Sequence, residues 1–220
     1  MRPVVGVMAR APSCEGKSRL IRQLRTSDGA GLRTALLRDT LAAVAPIHAE
    51  KAVLYTPLDG EAEIQRVTPF DAKFLAQRGA TLGERMRNGA SDLLALGFGC
   101  VVLVGADLPT LPAAYIVNAL ERLTQPRESL ILGPAEDGGY YLIGLTRVHD
   151  ELFDGIPWGT PDVLHRTLEA AGALRLRVEL LPVWYDVDLS SDLKRLWQRT
   201  ADGDPVAHHT RAWLETVKAS

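Results

Sequence analysis

Short apolar runs rich in Val, Ile and Leu recur along the chain, separated by stretches in which apolar residues return every three or four positions. The runs predict strands at Val4–Met8, Ala52–Tyr55, Cys100–Val104, Leu130–Leu132, Tyr141–Leu145 and Val178–Leu181. Continuous β-branched segments bounded by Gly and Pro suit a sheet covered on both faces. Leu32, Leu36, Leu37, Leu41 and Val44 form one helical stripe, and the spacing predicts a second helix from about Leu82 to Leu96, with Met86, Ala90, Leu93 and Leu94 inward. Pro112 opens a third, carrying Ile116, Leu120 and Leu123. Thr160 reads as an N-cap with Pro161 at the first helical position, launching Val163–Ala171. Ser190 or Ser191 caps a further helix through Trp197.

Strands alternating with helices predict an α/β fold with a mostly parallel sheet flanked by helices. The run "LILGPAEDGGYYLIGL" breaks the alternation, because strand, Gly-rich turn and strand leave no room for a crossover helix. An antiparallel pair inserted into the sheet is expected there. "TADGDP", Thr200 to Pro205, reads as a loose linker before a short C-terminal helix. The expectation is one domain over residues 1–220, with 199–220 as a C-terminal extension.

A length of 220 residues fits this single-domain reading and permits a core without metal or disulfide staples. The net charge of -2, with no basic run, offers no electrostatic footprint for nucleic acid or anionic lipid. No apolar stretch is long enough to span a bilayer, and the N-terminus lacks a signal-peptide pattern, so a cytoplasmic protein is expected. Cys14 and Cys100 form no metal or redox motif, and His208-His209 has poor ligand spacing.

The chemistry concentrates at the ends of the predicted strands. "APSCEGKS", Ala11 to Ser18, is one residue short of a phosphate-binding P-loop. Ala11 replaces its first glycine, Pro12 supplies no N–H and Glu15 is negative, yet Arg10, Lys17 and Arg19 place three cations on one loop. These are either solvated loop charges or a phosphate-neutralising set. In "VVLVGADLPTLP", Asp107 follows a buried strand, where open α/β sheets place ligands; it could equally cap the next helix. In "WYDVDLSSDL", Asp186 and Asp188 point to one side if extended, while Asp192 reads as a first-turn acid. Magnesium needs few protein carboxylates, so Asp107 and Asp188 would suffice. In "EDGGYYL", Gly138 and Gly139 permit a turn or close approach to a ligand, with Asp137 free to accept a hydroxyl. Gln77 and Gly83, in "QRGATLGERM", read either as a loop before a helix or as groups at a base edge.

Together and in this order, "MARAP", "GKSRL", "LVGADLPTLP", "LGPAEDGGYYLIGL", "IPWGTPDVL" and "DVDLSSDL" resemble the bacterial nucleotide-diphospho-sugar transferase family, some members of which are labelled arsenosugar-biosynthesis glycosyltransferases. More distantly the chain is similar to phospholactate and molybdenum-cofactor guanylyltransferases. The resemblance implies a Rossmann-like glycosyltransferase-A fold. It implies Lys17, Arg19 and Asp107 as catalytic groups, and Mg2+ or Mn2+ on Asp107 and Asp188. It further implies a nucleotide held by Ala9, Arg10, Gly16, Lys17, Gln77 and Gly83, and an acceptor on Asp137, Gly138, Gly139, Tyr140 and Trp158. The expected partners are a nucleoside triphosphate or nucleotide sugar and a small acceptor, with a homodimer left open. Glycosyltransferases of this fold usually carry Asp-x-Asp at the metal strand; here Gly105-Ala106-Asp107 has a single acid, as in the nucleotidyltransferases. The expectation is a metal-dependent nucleotide-using transferase, tilted towards nucleotidyl transfer. Glycosyl transfer, a P-loop NTPase and a non-catalytic nucleotide-binding module are the alternatives.

Overall fold

Val4, Val5, Val7 and Ala9 of strand β1 (Pro3–Arg10) are at most 1% exposed, so this strand is covered on both faces. Its continuous apolar character follows from that double burial. A computed structural model describes residues 1–125, 128–201 and 206–219. The remaining strands are β2 (Glu50–Thr56), β3 (Lys73–Ala76), β4 (Cys100–Gly105), β5 (Ser129–Pro134), β6 (Tyr140–Leu145) and β7 (Arg177–Leu180). They form a seven-stranded sheet in the order β3-β2-β1-β4-β6-β5-β7. β6 runs antiparallel to both neighbours, β4 and β5, and the other pairings are parallel. The expected inserted hairpin is therefore present, with its second strand nearer the sheet centre.

Helices α1 (Ser18–Leu24), α2 (Gly29–Val44), α3 (Glu61–Val67), α4 (Leu82–Ala95), α5 (Ala113–Leu123), α6 (Val163–Ala173), α7 (Ser190–Ala201) and α8 (His208–Ala219) surround the sheet. Leu37, Leu41 and Ile116 pack with Val5, Val7 and Val102 on one face. Met86, Ala90 and Leu93 pack with Val4 and Leu103 on the other. Gly6 shares that second face, where a Cβ would lie 2.7 Å from Leu54 Cδ1 and 2.8 Å from Leu103 Cδ2. The glycine lets two leucines close over the central strand, each contributing about 1.5–3 kcal/mol of burial. A third apolar cluster joins Leu20, Leu32 and Leu36 to Leu193, Leu196 and Trp213, fastening α7 and α8 to the first two helices.

The structure adds α1, α3 and β3, which the apolar pattern did not indicate. It also corrects two caps. Thr160 and Pro161 lie in the turn before α6, whose N-cap is Asp162, and Thr160 Oγ1 instead donates to Pro157 O at 2.8 Å. Ser190 is already helical, and the Asp192 carboxylate, not a serine, closes the start of α7 by accepting from Leu189 N at 2.7 Å. Of the expected linker, residues 202–205 lie outside the described residues. No helix among the described residues is long and apolar enough to cross a membrane.

The functional consequence lies between β1 and β4. From β1 the chain moves outward through β2 and β3, and from β4 it moves the other way. That reversal opens a crevice at the carboxyl ends of the two central strands, the place where open α/β sheets bind ligands.

Candidate functional site

β1 delivers the loop Ala11–Lys17 to this crevice, and three neighbours hold it there. Ala11 N donates to Thr56 O at 2.8 Å, anchoring the loop to β2. The Arg33 guanidinium of α2 donates from Nε to Pro12 O at 2.8 Å and from Nη1 to Gly16 O at 3.1 Å. Glu63 of α3 accepts from Ser13 N at 2.8 Å and from Ser13 Oγ at 2.5 Å. The loop ends at Lys17, whose φ of 56° is left-handed and disfavoured for a side chain with a Cβ. A strained residue in an otherwise braced loop is a common mark of a functional position.

The Lys17 side chain turns beneath two carboxylates. Its Nζ lies 2.8 Å from Asp107 Oδ2 and also contacts Asp188 Oδ1. The lysine side chain is 10% exposed while those of Asp107 and Asp188 are 42% and 57% exposed, so the cation is covered and the acids form the rim. Burial alone would pull the ammonium down; the charges and hydrogen bonds of Asp107 and Asp188 outweigh it and raise the lysine above its ordinary value.

Each acid is placed by its own support. Asp107 follows β4, and buried Thr40 of α2 brackets it: Thr40 Oγ1 donates to Ala106 O at 2.8 Å and accepts from Leu108 N at 3.0 Å. Val187 N donates to Asp107 O at 3.1 Å, which ties the β4 end to the segment carrying Asp188. Asp188 N and Leu189 N both donate to Asp192 Oδ2, at 3.0 and 2.7 Å. Asp186 stands between these groups. Burial first, then the charges of Asp107, Asp188 and Asp137 against the opposing Lys17, push its carboxyl up to about 7.

A cavity of about 930 Å³ opens over this cluster. Arg10, Gly16, Lys17, Arg19, Asp107 and Asp188 line it. So do Asp137, Gly139, Tyr140, Trp158, Thr160 and Val163, from the β5–β6 turn and the segment leading into α6. The Asp137 turn is set by Gly139 N donating to Asp137 Oδ1 at 2.9 Å. Gly138 has a φ of 90°, and a Cβ there would overlap the Pro161 backbone, so only glycine lets this turn dock against the loop before α6. The rings of Tyr140 and Trp158 meet edge to face, 6.1 Å between centroids. Burial raises the Tyr140 phenol, which keeps it neutral.

Several expected residues sit apart from the cavity wall. Ala9 is 1% exposed in β1 and belongs to the core. Gln77 donates through Nε2 to Ala9 O at 3.1 Å and to Leu54 O at 2.7 Å, bridging the ends of β1 and β2. Gly83 lies under the Trp158 indole, where a Cβ would lie 2.6 Å from Trp158 Cε2. Its role in the structure is to let Trp158 reach the cavity. Conversely, Thr40 and Asp186 were not singled out by sequence as members of the site; Asp186 sat in view beside Asp188, whereas Thr40 carries no local signal at all.

The donor set fits a divalent cation of the hard, oxygen-seeking kind. Asp107 and Asp188 already converge on one positive charge, the Lys17 ammonium. Among the described residues no group of three or more His, Cys, Asp or Glu is arranged to hold a metal ion. Two carboxylates on a divalent ion would leave room for phosphate and water oxygens, the usual situation of Mg2+.

The chain's sequence and fold have relatives among known proteins. The chain is 32% identical over 215 residues to a phosphoenolpyruvate guanylyltransferase of Nocardia farcinica, covering 92% of this chain and 87% of that one. A crystal structure from Desulfovibrio desulfuricans G20, assigned provisionally as a nucleotide-diphospho-sugar transferase, superposes with a TM-score of 0.89 at 31% identity, covering 100% of this chain and 96% of that one. A CMP:2-keto-3-deoxy-manno-octonic acid synthetase complexed with CTP shares the fold, with a TM-score of 0.60 at 12% identity over 92% of this chain and 99% of that one. Residues 28–160 match the family described as uncharacterized protein conserved in bacteria (DUF2064), and the chain belongs to that family.

Proposed function

We propose that this protein is a nucleotide-dependent transferase working as a metal-dependent nucleotidyltransferase. An acceptor oxygen attacks the α-phosphorus of a nucleoside triphosphate. The new P–O bond forms as the bond to the bridging oxygen breaks, and the electron pair leaves with pyrophosphate. The observation that carries the reading is the convergence of Lys17, Asp107 and Asp188 at the β1/β4 crevice. The 32% identity to a guanylyltransferase across 92% of the chain supports it.

Arg10, Lys17 and Arg19 would neutralise the triphosphate from one side, and charge growing on pyrophosphate falls among them. Asp107 and Asp188 would hold Mg2+ or Mn2+. When bound, the ion supplies charge neutralisation at the phosphate oxygens and a template for in-line attack. Thr40 and Asp192 keep the two carboxylates in place, so the protein arrives at the reaction already ordered. Asp137, Tyr140 and Trp158 would orient the acceptor. We take residues 1–220 as one catalytic domain acting in the cytoplasm, with α8 as its C-terminal brace.

Glycosyl transfer is the second reading, favoured by the superposition on the Desulfovibrio structure. Products separate the two. Incubation of the protein and Mg2+ or Mn2+ with each nucleoside triphosphate and a panel of acceptors should release pyrophosphate. Release of a nucleoside diphosphate from a nucleotide sugar, without pyrophosphate from any triphosphate, would replace this reading with the second.

A further inference from the structure

A second cavity, of about 540 Å³, opens beside the Lys17 loop. Arg22, Arg25 and Arg33 line it, together with Glu15, Ser18 and Thr26. Glu15, Gly16 and Ser18 line both cavities, whereas Asp107, Asp186 and Asp188 line only the crevice. The two cavities thus share the loop and nothing of the acid cluster. The volume falls within the range of small-molecule sites, about 300–1,000 Å³.

The three cations of this cavity are under-compensated. Arg33 stands on the second turn of α2, and Gly29, one turn before it, makes the room: a Cβ there would lie 2.5 Å from Ile21 Cδ1 and 2.9 Å from Arg33 Nη1. The part-buried guanidinium donates to Pro12 O and Gly16 O, two neutral carbonyls, so its charge is held but not neutralised. A guanidinium carries five N–H donors, and these bonds use two of them. Arg22 lies in the last turn of α1 and Arg25 caps it, with a left-handed φ of 53° and its N–H donating to Arg22 O at 3.2 Å. Among the described residues none of the three arginines pairs with a carboxylate. Asp28, the acid next along the chain, is engaged: it accepts from Gly31 N at 2.9 Å and from Trp213 Nε1 at 2.8 Å. Glu15 is the one acid in the lining, so three guanidiniums against one carboxylate leave two positive charges in excess.

That excess matches a dianion. Guanidinium forks fit phosphoryl oxygens two at a time, and such charge-assisted hydrogen bonds are the strong ones. Thr26 Oγ1 accepts from Asp28 N at 3.1 Å, which leaves its O–H to donate, and Ser18 contributes a second hydroxyl. A monoanion would leave one positive charge uncompensated, and a neutral ligand both. We propose that this cavity is a second ligand site, selective for a dianionic phosphoryl group and separate from the nucleotide crevice. The site goes beyond the transferase reading and holds whichever group is transferred. Arg33 holds the loop at Pro12 and Gly16, so an occupant it grips lies against the segment that carries Lys17.

Inorganic phosphate is the probe, titrated calorimetrically at fixed ionic strength into the wild type, Lys17→Met and the double variant Arg22→Gln/Arg25→Gln. The wild type should bind a phosphate that Lys17→Met retains. The double variant should bind it at least about tenfold more weakly, the effect of removing two close cations from a partly solvated cavity. Both arginines are exposed, so the fold does not depend on them. Arg22→Lys/Arg25→Lys, which keeps the charges but not the forks, should recover binding in part. Acetate, a monoanion, should bind the wild type at least about tenfold more weakly than phosphate. The proposal is overturned by absence of phosphate binding to the wild type, by undiminished binding in Arg22→Gln/Arg25→Gln, or by acetate bound as tightly as phosphate. Loss of the phosphate in Lys17→Met with retention in the double variant would place the anion in the crevice and overturn it as well.

Discussion

Lys17 Nζ and Asp107 Oδ2 lie 2.8 Å apart, joining the loop after β1 to the end of β4 across the crevice, and the same ammonium reaches Asp188. One lysine therefore occupies the position towards which both metal-binding candidates point. A divalent ion held by these two acids would compete with it, and a lysine so displaced would be free to turn to a triphosphate. Lys17→Met should tighten Mn2+ binding in the absence of nucleotide about tenfold, since the resident counter-charge is gone. The same variant should lose about a hundredfold or more in turnover, the usual cost of a charge-stabilising donor. Electron paramagnetic resonance of free Mn2+ reads the first effect, and weaker binding in the variant would refute the competition.

Asp107→Asn and Asp188→Asn should each abolish metal-dependent turnover. The amide keeps the shape and part of the hydrogen bonding to Lys17 but is a poor ligand for a hard cation. Mn2+ titration of either variant should show at least tenfold weaker binding, and chelation of the wild type should remove activity that added Mn2+ restores. Unchanged turnover in Asp107→Asn would remove that residue from the metal assignment.

Much of this architecture is legible because β1, β2, β4 and β6 are buried on both faces and so read as unbroken apolar runs. β3 escapes because it is a four-residue edge strand held on one side by β2. α1 escapes because it has seven residues and starts from a left-handed lysine with no side-chain cap. The site divides in the same way. Asp107, Asp188 and the Gly138-Gly139 turn are local signals, an acid after a buried strand or glycines between strands. The meeting of Lys17 with Asp188 spans 171 positions, and the bracket that Thr40 places around Asp107 spans 68, so neither leaves a pattern in sequence. Gly83 carries a packing role that its sequence neighbours do not signal: its missing side chain makes room for Trp158, 75 positions away.

Thr40 is a positioning residue, acting on Asp107 through Ala106 O and Leu108 N. Thr40→Val has nearly the same volume but strands a part-buried carbonyl and a buried N–H, at a cost of about 1–3 kcal/mol of stability. It should lower kcat more than it raises the KM for nucleotide, because on the proposed function the carboxylate it steadies would hold the metal at the reacting phosphates. Thr40→Ser should restore kcat while recovering stability only in part, since it returns the hydroxyl but not the methyl. Equal damage from both variants would mean that packing, not the hydrogen bonds, matters there.

Asp39, 3% exposed on α2, accepts from His209 N at 2.9 Å and Thr210 N at 2.7 Å. A carboxylate from one helix thus caps the first turn of α8, where orphan N–H groups and the helix dipole both favour negative charge. Asp28, the N-cap of α2, adds a second tie by accepting from Trp213 Nε1 at 2.8 Å. Through Leu20, Leu32 and Leu36 the docked helix supports α1 and α2, which flank the Lys17 loop. Asp39→Ala should therefore cost about 1–3 kcal/mol in denaturant unfolding, from one buried and one part-buried donor left unpaired. Proteolysis of the folded variant should begin at α8. Because α8 packs against α2 and reaches α1 through that apolar cluster, behind the Lys17 loop, the KM for nucleotide should rise with the loss of stability. An unchanged KM for nucleotide despite the lost stability would show instead that α8 braces the fold without steadying the loop.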